Sequence, residues 1–141
     1  MKRFVAPLAL CFALGAGLPV AAADLVARVD VSEQVMRVYH RGRLAYQWKV
    51  STARSGKYTP RGTFTAQFLS RNHRSSLYNN APMPFSIFFN GNYAVHGTDQ
   101  LSRLGSPASA GCVRLHPQHA AVLFELTQKV GLKNMQVVIT N

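Results

Sequence analysis

Apolar and polar residues along this chain alternate in short runs, and the period is that of β-structure over most of its length. Leu25, Ala27, Val29 and Val31 alternate with Val26, Arg28 and Asp30, which predicts a strand over 25–31. Ser32-Glu33-Gln34 turns into a second strand, Val35 to Tyr39, and Arg41-Gly42-Arg43 turns into a third, Leu44 to Val50. A polar loop, Ser55 to Gly62, precedes a strand expected over Thr63 to Leu69. Residues 70–84 are basic, polar and proline-containing, and read as the longest loop. Phe85 to Phe89 and Tyr93 to His96 pair as a hairpin across Asn90-Gly91-Asn92. The period changes to helical once. Pro117 suits a first helical position, Gly131 a terminal cap, and Ala120, Val122, Leu123, Phe124, Leu126 and Val130 fall on one arc, opposite Gln118, Glu125, Gln128 and Lys129. Met135 to Ile139 closes the pattern as a strand. The expectation is a mainly antiparallel β domain with one packed helix, about residues 117–130.

The first 23 residues follow a different logic. Lys2-Arg3, an apolar run from Phe4 to Val20 and Ala21-Ala22-Ala23 form a basic, then apolar, then small-residue sequence, which predicts an export signal cleaved before Asp24. Leu10 precedes Cys11 where a lipid-attachment signal carries a small residue, so no lipid anchor is expected. Residues 24–141 then make one domain, with no internal repeat and no later stretch of membrane-spanning length. The expected location is the periplasm or cell wall.

Charge narrows the partners. The formal net charge is +11, and no acidic residue occurs between Gln34 and Thr98, a span holding nine arginines and lysines. A field of one sign draws anionic polymers. A solvated basic surface, or a non-enzymatic binder of envelope polyanions, accounts for that feature equally well. Neither accounts for the cysteine.

Removal of the signal takes Cys11 with it and leaves Cys112 alone. A single thiol in an exported protein has no disulfide partner, and is either a small buried hydrophobe or a nucleophile. Its surroundings, Ser109-Ala110-Gly111-Cys112-Val113-Arg114-Leu115, favour the second. Gly111 permits a sharp backbone turn. In an extended segment Cys112, Arg114 and His116 share a face while Val113 and Leu115 enter the core. Arg114 beside the sulfur then predicts a thiol that ionises more readily than a free cysteine, and the backbone N–H groups of Ala110, Gly111 and Cys112 are candidates to hold an oxyanion. The base is sought among five histidines. His40 and His73 lie in basic turns and are expected in solvent. His116 and His119 flank the helix start, and with only Glu125 nearby they do not make a metal site. His96 ends a strand and opens into Gly97-Thr98, a placement that suits catalysis. Its far nitrogen needs an acceptor, either Asp99 or the Gly97 carbonyl.

His96-Gly97-Thr98 followed by Ser109-x-Gly111-Cys112-Val113-Arg114-Leu115, with the cysteine sixteen residues past the histidine, resembles the catalytic signature of the L,D-transpeptidases, the YkuD domain family. Tyr58-Thr59-Pro60-x-Gly62-Thr63-Phe64 and Phe88-Phe89-Asn90-Gly91 resemble that family's substrate-side segments. Ala110 departs from the histidine that many members carry before the glycine. The resemblance implies an antiparallel sandwich or barrel-like β domain and an enzyme acting on peptidoglycan stem peptides through a Cys112 thioester. It makes His96 the base and the Gly97 carbonyl the group that orients it. Arg114, Ser109 and Tyr93 are the substrate-binding candidates. The acyl acceptor is a second stem peptide, or an outer-membrane protein or lipoprotein. Water in its place gives a carboxypeptidase or amidase. No cofactor, metal or nucleic acid is implied.

Overall fold

The computed structural model describes residues 23–141, so the export signal expected over residues 1–23 lies, except for Ala23, outside the described residues, and Cys11 with it. Among the described residues nine strands form two sheets. The first contains β1 (Leu25–Asp30), β2 (Val35–His40), β3 (Arg43–Lys49), β4 (Gly62–Thr65) and β9 (Met135–Thr140), in the order β3-β2-β1-β9-β4. The second contains β5 (Phe68–Arg74), β6 (Pro82–Asn90), β7 (Tyr93–Gly97) and β8 (Val113–Leu115), in that order. One helix, α1 (Pro117–Val130), packs on β6 and β7 and touches β1.

Local chemistry explains the elements. In β1, Leu25, Ala27 and Val29 are buried, and the strand lies between β2, antiparallel, and β9, parallel, with Leu25 opposite Met135. Arg41 and Gly42 both take positive φ, 50° and 79°, as a two-residue hairpin turn between twisted strands requires. Gly91, at φ 56°, does the same between β6 and β7. The His116 ring caps α1, its Nδ1 accepting the Gln118 N–H at 3.1 Å, and Gly131 ends the helix. Thr127 joins the helix's buried face by returning its hydroxyl to the Leu123 carbonyl at 2.8 Å. One apolar cluster unites both sheets and the helix, with Met36, Val38, Ile87, Phe89, Val95, Val113, Leu115, Leu123, Phe124, Val137 and Ile139 among its members.

Three expectations change. The strand expected over Thr63 to Leu69 is two strands, because the chain changes sheet at its middle: Ala66 N–H donates to Met135 of the first sheet and Gln67 N–H to Phe88 of the second. The loop expected over 70–84 shrinks to 75–81, since β5 runs to Arg74 and β6 begins at Pro82. β5 is an edge strand, exposed on most of its surface, so its polar residues need no burial. Opposite it, Phe85 takes φ 54° and drops out of register, leaning edge-on against Phe124 with the Arg71 guanidinium over both rings. His40 and His73, expected in solvent, are half-buried, and His73 lies edge-on to Phe88 at 4.9 Å. The sheets are mainly antiparallel, with two parallel neighbours, β1/β9 and β7/β8.

Candidate active site

The two parallel strands β7 and β8 position the chemistry. Val95 faces Val113 and both enter the core. Strand alternation therefore sends Ala94, His96, Cys112 and Arg114 to the other face of this sheet, with His96 opposite Arg114. There, His96, Cys112 and Arg114 line one cleft of about 370 Å³, together with Arg54, Asn92, Tyr93, Asp99, Gln100 and the 75–83 segment. β8 is held on its free side by Ser51, whose N–H and C=O pair with Arg114. Residue 52 extends the clamp by accepting the N–H groups of Ala108 and Ser109 at its carbonyl, 2.9 Å each. The buried Gln34 side chain secures that segment in turn, through both the backbone N–H and the hydroxyl of Thr52.

The turn carrying the thiol is tied internally. Ser109 Oγ accepts the Gly111 N–H at 3.0 Å and donates to the Cys112 carbonyl at 2.6 Å. Gly111 has φ 142°, and a Cβ there would stand 2.6 Å from the Tyr93 ring and 2.8 Å from the Tyr58 carbonyl. Only glycine fits between them. Of the three N–H groups proposed for the oxyanion, that of Gly111 is therefore taken by Ser109, whereas those of Ala110 and Cys112 are not taken up by any hydrogen bond among the described residues. Ser109 is 1% exposed and ties the turn. Its hydroxyl, a substrate-binding candidate in the sequence, is already engaged on both sides. Tyr93 packs its ring on Gly111 at the cleft wall.

His96 is 5% exposed, and its Nδ1 lies 2.6 Å from the Gly97 carbonyl. A carbonyl only accepts, so Nδ1 carries the proton and Nε2 keeps a lone pair. Burial drives the imidazole pKa down to about 4 against the pull of the Gly97 bond, with Arg114 and His73 pushing the same way. Asp99 is exposed, and its charge acts on Arg114 instead of the ring. The Cys112 sulfur is 3.8 Å from the Asn92 carbonyl. Here the structure corrects an expectation: burial raises the thiol pKa, outweighing the Ala94 N–H and the Arg114 charge that lower it. The resting pair is a neutral thiol and a neutral imidazole. Arg114 is half-buried and donates to the Gln100 side chain at 3.2 Å.

His116 does not continue the face of Cys112 and Arg114, because β8 ends at Leu115 and His116 turns to cap α1. His119 stacks on Trp48 with ring centroids 4.8 Å apart. Among the described residues no three histidines, cysteines or carboxylates gather as a metal site. Sequence reasoning did not single out Arg54, which reaches the cleft from the irregular segment between β3 and β4, nor the Thr59 hydroxyl, which is buried and bonds the Gly111 carbonyl of the nucleophile's turn. Tyr58-Thr59-Pro60 was visible as a motif, yet no local pattern tells which of its atoms reaches residue 111.

This architecture is found in solved structures. An L,D-transpeptidase from Mycobacterium smegmatis superimposes with a TM-score of 0.74 at 19% identity, over 84% of this chain and 59% of that one. The L,D-transpeptidase 3 from Mycobacterium tuberculosis, in complex with a faropenem-derived adduct, gives 0.73 at 16% identity over 84% and 61%. An L,D-transpeptidase from Xylanimonas cellulosilytica gives 0.68 at 26% identity over 86% and 63%. In sequence, a Bacillus licheniformis protein that carries the name L,D-transpeptidase YkuD is 27% identical over 95 residues, which are 62% of this chain and 51% of that protein. The chain spans about half the length of that curated relative. The model of the YkuD family, the L,D-transpeptidase catalytic domain, matches residues 24–139, and the chain belongs to that family.

Proposed function

We propose that the protein is an exported peptidoglycan L,D-transpeptidase that works through a Cys112 thioester. The observation carrying this reading is that His96, on β7, and Cys112, the residue just before the parallel neighbour β8, line one cleft, with the lone pair left on Nε2 by the Gly97 carbonyl. In the proposed sequence Nε2 takes the thiol proton as sulfur attacks the carbonyl of the L-centred third residue of a stem peptide. The tetrahedral oxyanion collapses, the C–N bond breaks, and the terminal D-alanine leaves with the proton from the imidazolium. An amine then attacks the thioester and passes its proton through His96 back to the thiol. Because both partners rest uncharged, ionisation accompanies attack and needs no standing thiolate. Arg114 and Arg54 supply positive charge for substrate carboxylates at the cleft. The acceptor amine belongs to another stem peptide, or to an outer-membrane protein or lipoprotein.

Incubating the 24–141 domain with purified muropeptides and reading the products by mass spectrometry tests this. Cross-linked dimers and free D-alanine are expected, with a mass gain on Cys112 when turnover is trapped by a penem. Cys112→Ser, nearly the same size, should fold and lose both signals, because a hydroxyl is far less acidic than a thiol. Tripeptide products without dimers would replace transfer by hydrolysis, and turnover by Cys112→Ser would remove the cysteine from the reaction.

A further inference from the structure

We infer that Thr59 is a positioning residue for acyl transfer: its buried hydroxyl sets the Gly111–Cys112 peptide plane so that the Cys112 N–H faces the cleft as an oxyanion donor. Thr59 is 1% exposed and comes from the loop before β4, remote in sequence from the nucleophile. Its Oγ1 accepts the Ala53 N–H at 3.0 Å and stands 2.8 Å from the Gly111 carbonyl oxygen. An N–H only donates, so the hydroxyl proton is committed to Gly111. The peptide between Gly111 and Cys112 is trans, since the described residues contain no cis bond. In a trans peptide the C=O and N–H point in opposite directions. Drawing the Gly111 oxygen toward Thr59, on the buried side, turns the Cys112 N–H away from it, to the side where Gly111 and Cys112 line the cleft.

Nothing else in the turn performs this task. Ser109 holds the peptide planes on either side, through the Gly111 N–H and the Cys112 carbonyl, and leaves the plane between them to Thr59. Gly111, at φ 142°, lies in a region where a residue without Cβ has wide freedom, so an unheld plane here would rotate. An oxyanion donor works by being oriented before charge develops, and a rotating plane loses that advantage.

The inference rests on Cys112 being the acylated residue, and the test separates the two. Alkylation by iodoacetamide displaces iodide without forming an oxyanion, whereas acylation by a penem or an activated thioester passes through one. Thr59→Val removes the hydroxyl at nearly constant volume. Acylation of Cys112 should slow by about ten- to a hundredfold, below the 10²–10³ seen when a donor is deleted outright. Alkylation should stay within about twofold, since that reaction has no oxyanion to hold. Thr59→Ser, which keeps the hydroxyl, should restore acylation. Should Thr59→Val fail to fold, Thr59→Cys keeps the volume with a weaker donor, and the same split is read on it. Equal loss of both reactions would make Thr59 a general support of the turn, and unchanged acylation would remove it from the mechanism. A wild type that alkylates but never acylates would overturn the nucleophile assignment itself.

Discussion

At the scale of single residues, His96 carries the pH behaviour of the protein. Its folded pKa of about 4 lies below the ordinary histidine value of 6.5, and burial is the main cause. The unfolded chain therefore binds the proton more readily, and folding gains stability from this group above pH 6.5 that is lost as pH falls through about 4. A shift of this size corresponds to about 3 kcal/mol. Urea midpoints should fall across that window in the wild type, and less steeply in His96→Gln, which cannot take a charge; equal slopes would show that the imidazole is not buried in solution. The same group governs rate. Acylation should persist through neutral pH and decline as the imidazole becomes protonated near pH 4. His96→Ala should slow it by about a hundredfold or more, the scale of a positioned acid–base group. Cys112 behaves oppositely to its sequence reading. Arg114 does lower the thiol pKa as the spacing implied, but burial acts more strongly. Adjacency in sequence revealed the neighbouring charge, while the desolvation comes from parts of the chain that no local pattern brings together.

Among the elements, the turn before β8 has the least tolerance. Gly111→Ala would place a methyl 2.6 Å from the Tyr93 ring and 2.8 Å from the Tyr58 carbonyl, at a φ that side chains rarely adopt. Backbone strain of this kind costs about 1–3 kcal/mol before the clash is counted. We expect a lowered melting temperature together with a large loss of Cys112 acylation, measured by differential scanning calorimetry and intact mass; a variant as stable and reactive as the parent would mean the turn can relax. The elements that sequence reasoning placed well are those whose own residues determine them. In the β1–β2–β3 meander β1 alternates between buried and less buried positions, and Gly42 suits the positive φ of the β2–β3 turn. The β6–β7 hairpin has Gly91, and α1 has Pro117 and Gly131 at its ends. β5 beyond Leu69 was missed because this half of an edge strand is polar, so its pairing with β6 leaves no hydrophobic alternation to read. The division of β4 from β5 was missed for a related reason. Thr63 to Leu69 carries no turn residue, and the change of sheet is marked by its partners, Met135 for Ala66 and Phe88 for Gln67.

On the whole molecule, the one-signed charge seen in the sequence survives folding. Only one salt bridge forms among the described residues, Arg37 with Glu33, and Arg54 and Arg114 bring two of the cations to the cleft. Binding to isolated cell-wall sacculi should weaken as salt rises past the point where the screening length falls to about 8 Å. A sedimentation assay across a salt series would measure it, and binding indifferent to salt would separate the basic surface from substrate capture. The arrangement of the first sheet has a further consequence. β1, the first strand, takes β9, the last, as its parallel neighbour, from Leu25 beside Met135 to Asp30 beside Thr140. β4 too has no partner in its sheet other than β9. A chain emerging from the ribosome N-terminus first therefore has the nucleophile and its base in hand well before the strand that closes the first sheet. The domain behaves like a clasp: until Met135–Thr140 arrives, the hydrogen-bonding edges of β1 and β4 that it joins stand open, and open strand edges are templates for pairing with another chain.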